Sequence, residues 1–67
     1  MKLNIDSLEE MREARGMSKS RFARLLDMEQ TLYLRLLKTG GESVTVRTIN
    51  RIGNALHMDP RDLLTKG

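Results

Sequence analysis

Apolar residues recur along this chain at helical spacing and nowhere alternate at period two. Leu8, Met11 and Ala14 form a first stripe, and Phe22, Ala23, Leu25 and Leu26 a second. Leu32, Tyr33, Leu36 and Leu37 make a third, and Val46, Ile49, Ile52 and Leu56 a fourth. Leu63 and Leu64 would dock a last turn. The pattern predicts five short helices, no strands, and an all-α compact five-helix fold occupying residues 1–67 as a single domain.

Residues at the ends of the stripes support the same division. Ser7 with Glu10 three positions on is a capping-box pattern, which places the start of the first helix there. Gly16 supplies a left-handed stop. Ser18 starts the second helix, which ends near Asp27, a residue that tolerates left-handed backbone, with Met28 as the apolar plug of the turn. Gly40-Gly41 closes the third helix, and a polar loop through Glu42 and Ser43 leads to Thr45, the cap of the fourth. Gly53 inside that helix costs about 1 kcal/mol relative to Ala unless another helix packs closely against it. Asp59-Pro60-Arg61-Asp62 combines an Asp cap, proline at the first position and an acid in the first turn, a strong start signal for a fifth helix.

On the third stripe one apolar residue is out of place. With Glu29 at 0° and about 100° per residue, Leu32, Leu36, Tyr33 and Leu37 fall at about 300°, 340°, 40° and 80°, the width of a core-facing surface. Thr31, Lys38 and Arg35 fall on the opposite side, and Leu34, at about 140°, falls among them. That stripe is expected to be core, with Leu34 exposed.

Charge and composition narrow the function. The 67 residues carry 12 basic and 9 acidic side chains. Residues 1–10 are acidic, with Lys2 against Asp6, Glu9 and Glu10. Residues 11–26 carry Arg12, Arg15, Lys19, Arg21 and Arg24 against Glu13, and residues 35–58 carry Arg35, Lys38, Arg47 and Arg51 against Glu42. Positive charge concentrated in the middle of the chain suits a polyanion-binding surface, and the plainer alternative is that the helices solvate themselves with Arg and Lys. With no cysteine there is no thiol nucleophile, disulfide or Cys-based zinc site. The single histidine, His57, follows Leu56 where a helix should stop and has no partner for catalysis. Gly40-Gly41 lacks the lysine of a phosphate loop. Two aromatic residues, both at core positions, do not make a stacking platform for single strands. No enzyme, metal or cofactor is expected, and catalytic residues are none. No apolar run approaches a membrane span and no signal-peptide pattern opens the chain, so a soluble, cytoplasmic protein is expected.

Gly16-Met17-Ser18, Phe22-Ala23, Leu26, a short turn, a short helix, then RIGNAL and DPRDLL follow in an order that resembles a known family. Residues 5–65 are similar to the lambda-repressor-like (Cro/C1, XRE) helix-turn-helix domain. Family members commonly read G-L-S for Gly16-Met17-Ser18, L-A for Phe22-Ala23, and I-A-x-A-L for Ile52-Gly53-Asn54-Ala55-Leu56. The resemblance implies a helix-turn-helix at about residues 18–38 whose second member, about 30–38, enters the major groove of double-stranded DNA.

On the matched positions, the resemblance together with side-chain chemistry implies base contacts from Gln30, Thr31, Leu34 and Arg35. Gln30 can pair with adenine N6 and N7, and Arg35 with guanine O6 and N7. For Leu34, a thymine methyl, a protein partner and simple exposure all stay open. Phosphate contacts are implied for Ser18, Lys19, Lys38 and Thr39. Glu29 stands where relatives usually have Ser, Thr or Asn, and residues 39–45 carry Glu42 and no Lys or Arg; both departures predict binding that is weaker than average or that depends on a dimer. The family implies a transcriptional repressor acting as a homodimer on an operator, with a dimer surface near the last helix including Met58 and Leu64. The alternative is a protein-interaction module on the same fold, such as an antitoxin or docking domain with a toxin or effector as partner.

Overall fold

The computed structural model describes residues 1–42 and 44–65; Ser43, Lys66 and Gly67 lie outside it. Four α-helices run in chain order: α1 Ile5–Ala14, α2 Lys19–Leu25, α3 Gln30–Lys38 and α4 Val46–Leu56. The expected fifth helix is instead a single 3-10 turn, Pro60–Leu63, so the fold is all-α with four helices rather than five. The cap and proline act as expected, with Asp59 Oδ1 accepting the Arg61 amide at 2.9 Å. Elongation fails because Leu64 is extended and forms an antiparallel bridge with Leu3.

Three of the four α-helix starts have side-chain caps. Ser18 Oγ accepts the Arg21 amide and Thr45 Oγ1 the Thr48 amide, each at 3.1 Å. On α1 the cap is Asn4, whose Oδ1 accepts the Ser7 amide at 3.1 Å. Ser7 therefore lies inside the first turn and not at the boundary expected for it. Asn is as good a cap as Ser, and the backbone before it is pinned. The Leu3 amide donates to Gly41 O at 2.9 Å and the Asn4 amide to Leu63 O at 2.7 Å. Glu29 makes no side-chain cap bond at the start of α3.

Helix ends match expectation closely. Gly16 has φ +64°, Asp27 +57° and His57 +56°, all left-handed. After α2 the Met28 amide closes back on Ala23 O at 3.0 Å, and Met28 packs on the core as the plug of the turn. His57 is the left-handed cap of α4, and the next amide, Met58, returns to Gly53 O at 2.9 Å. Gly53 fits by close approach: a Cβ there would lie 2.9 Å from the Met58 carbonyl oxygen and 3.2 Å from Pro60 Cγ. What packs against it is the following turn and not another helix.

The core gathers Leu8 of α1, Phe22, Ala23 and Leu26 of the α2 region, Tyr33 and Leu36 of α3, and Ile49, Ile52 and Leu56 of α4. Phe22 and Tyr33 meet edge to face, their ring centroids 5.8 Å apart at 76°. Three corrections concern its rim. Ala14, expected in the α1 stripe, is exposed. Val46, expected in the α4 stripe, is 60% exposed, and Val44 before the helix is buried in its place. Leu3, assigned to no element by periodicity, is fully buried. Its segment lies between residues 41–42 and 63–65 through isolated bridges of Lys2 with Glu42 and Leu3 with Leu64. No helix among the described residues is long and apolar enough to cross a membrane.

Candidate nucleic-acid interface

Helix α3 is held by one side and offered by the other. Tyr33 and Leu36 are buried and Leu32 and Leu37 are half-buried against the core. Gln30, Thr31, Leu34, Arg35, Lys38 and Thr39 are all exposed, Leu34 at 41%. The helical projection therefore separated the core residues Leu32, Tyr33, Leu36 and Leu37 from the exposed Thr31, Leu34, Arg35 and Lys38. Gln30, Thr31, Arg35 and Lys38 make no side-chain hydrogen bond or ion pair among the described residues, whereas Thr39 Oγ1 donates to Leu36 O at 3.4 Å. Helix α2 packs against α3 across the turn of residues 26–29. At its start Ser18 and Lys19 are exposed. With its acceptor side used by the Arg21 amide, the Ser18 hydroxyl proton remains able to donate outward.

Helix, left-handed Asp27, apolar plug and second helix make a helix-turn-helix. The model of the Cro/C1-type HTH DNA-binding domain matches residues 7–65. This chain belongs to the Cro/C1-type helix-turn-helix family. Comparison with curated proteins and with solved structures gave no match. As a Cro/C1-type domain, the protein is a DNA-binding regulator of transcription whose ligand is double-stranded DNA.

The positive charge of this Cro/C1-type domain is distributed differently from its sequence order. Arg12, counted with the basic stretch 11–26, is turned inward, with its side chain 16% exposed. Its Nε donates to Glu9 Oε2 at 2.6 Å and its Nη1 to Met17 O at 2.7 Å. Arg15, Lys19, Arg21 and Arg24 remain exposed. Arg51 reaches from α4 to donate to Asp27 O at 3.2 Å, so one cation secures the turn. Arg24 and Arg51 flank a shallow surface groove with Met28 and Leu32, in which Asp27 and Glu29 supply opposing charge. Arg61 is paired with Asp59 at 3.0 Å, and the guanidinium beside it holds the Asp59 carboxyl below its ordinary range.

Periodicity did not reveal a polar contact beneath α3. The buried Tyr33 hydroxyl donates to Glu9 Oε2 at 2.9 Å. A usable signal was present, because a tyrosine in a core stripe requires a polar partner for its hydroxyl. Met58 and Leu64, assigned to a dimer surface, are half-buried against this chain's own core. Among the described residues, no group of three or more His, Cys, Asp or Glu side chains is gathered that could hold a metal ion.

Proposed function

We propose that the domain recognises a near-palindromic operator as a homodimer and represses transcription by occupying it. The observation that carries the reading is the two-sided character of α3: four side chains fixed in or against the core, five presented outward, with the cap residue Thr39 exposed beside them. In this reading α3 enters the major groove, with Arg35 reading guanine, Gln30 reading adenine, Thr31 touching a base edge and Leu34 meeting a thymine methyl. Ser18, Lys19, Lys38 and Thr39 hold phosphates and set the register. One such helix reads only a few base pairs, so two copies on half-sites about 34 Å apart supply adequate specificity. The protein then works in the cytoplasm, on the nucleoid.

The second reading, a protein-docking module, is favoured by one observation, the 41% exposure of Leu34 on an otherwise polar face. Salt separates the two. A DNA binder that neutralises several phosphates loses orders of magnitude in affinity between about 50 and 200 mM salt. Lys19→Ala is expected to weaken binding to all duplexes alike and to reduce the salt slope by about one. Binding that hardly responds to salt, or a loss confined to particular sequences in Lys19→Ala, contradicts the phosphate assignment.

A further inference from the structure

A thread of hydrogen bonds connects the inner side of α3 to the start of α2. Tyr33 donates its hydroxyl proton to Glu9 Oε2 at 2.9 Å, and the same oxygen accepts Arg12 Nε at 2.6 Å. Arg12 Nη1 continues to the Met17 carbonyl at 2.7 Å, one residue before Ser18, the cap of α2. The thread therefore joins the helix that carries Gln30 and Arg35 to the point from which Ser18 and Lys19 are displayed.

Packing alone does not call for these groups. A phenylalanine at position 33 would fill the same volume and keep the edge-to-face contact with Phe22. A sheltered carboxylate–guanidinium pair returns little net stability after desolvation; its Glu9 and Arg12 side chains are 24% and 16% exposed. Geometry is what the pair adds. Two donors converge on one carboxylate oxygen, one from α3 and one from α1, so the rotation of α3 about its own axis is tied to α1 and, through Met17, to α2. A bidentate base contact tolerates a donor–acceptor window of only about 0.5 Å. A lysine on a phosphate behaves as a point charge and tolerates far more.

We propose that Tyr33, Glu9 and Arg12 are positioning residues that set the rotation of α3 and thereby govern discrimination between base sequences without touching DNA. The inference rests on the reading of α3 as the base-reading helix. Loss of the thread loosens base reading while leaving phosphate attraction in place.

The test compares Tyr33→Phe and Glu9→Gln with the native protein on a selected duplex and on a random-sequence duplex. Residual dipolar couplings of the free proteins report the orientation of α3 against α1. Tyr33→Phe is expected to remain folded and to reorient α3. Its selected-to-random affinity ratio should fall about tenfold, the factor for one hydrogen bond to a charged group, with random-duplex affinity held within about twofold. Glu9→Gln keeps an acceptor for Tyr33 and loses the charge facing Arg12, so an intermediate ratio is expected. A folded Tyr33→Phe protein with native couplings and a native ratio overturns the proposal. An equal loss on both duplexes also overturns it, since that marks a merely structural role. A native protein without sequence preference refutes the base-reading assignment and the effect on discrimination with it, while the couplings still decide whether the thread orients α3.

Discussion

Glu9 and Tyr33 hold one another in the ionisation states their contact requires. Burial by itself would raise the Glu9 carboxyl, but hydrogen bonds from Arg12 and Tyr33 and the charges of Arg12 and Lys19 outweigh it and bring the group below its usual 4.5. Burial pushes the Tyr33 hydroxyl well above its usual 10.0, with the hydrogen bond to Glu9 and its negative charge adding to the shift. Near pH 4.5 the unfolded chain binds more protons at Glu9 than the native one, so this contribution is present above that pH and is lost as pH falls further. Above pH 10 the unfolded chain releases the Tyr33 proton first, so stability declines again as pH rises. Tyr33 is the one tyrosine in the chain, so ultraviolet absorbance follows its ionisation without interference. The native protein should ionise well above pH 10, and Tyr33→Phe should remove its share of the alkaline decline in denaturation midpoint. A native tyrosine titrating at 10 would contradict the buried contact. Residues such as Leu34, Asp27 and His57 were legible because helical rotation or backbone handedness decides them locally. The partner of Tyr33 was not, because it lies 24 positions away.

Among the elements, ends set by a left-handed residue were readable, and boundaries set by tertiary contact were not. The start of α1 and the length of the last turn both depend on the segment around Leu3, which pairs with residues too distant in sequence for any local pattern to show. The same dependence distinguishes two glycines. Gly41 has φ +83°, and a Cβ there would collide with the Leu3 carbonyl group. Gly16 is also left-handed, but a Cβ there meets nothing within 4 Å. Gly16→Ala should therefore cost only the left-handed strain, on the order of 1 kcal/mol. Gly41→Ala adds a clash with backbone and should exceed about 3 kcal/mol in chemical denaturation. Equal costs at the two positions would show that the N-terminal segment does not close over the end of α3 in solution. For α4, Val44 and Val46 exchange roles because Val44 lies before the cap at Thr45, outside the stretch that a helical wheel represents.

For the molecule as a whole, the segment at Leu3 joins the residues after α3 to the chain's last turn, so the C-terminal end of α3 is braced. Thr65 donates to Lys2 O at 2.9 Å and Leu3 to Gly41 O at 2.9 Å, which closes the brace. Family membership, the all-α class and the outward face of α3 were legible because each rests on order and periodicity along the chain. Met58 and Leu64, expected at a dimer surface, lie half-buried against the chain's own core, a burial that no local pattern announces. The central claim, that α3 reads duplex sequence, is tested most directly by selecting duplexes from a random library at about 150 mM salt, with Arg35→Ala run in parallel. The native protein should enrich a near-palindrome with half-sites about one helical turn apart. Arg35→Ala should blur one position in each half-site at a cost of about 1–3 kcal/mol. A folded native protein that enriches nothing, or a consensus left unchanged by Arg35→Ala, would contradict the account.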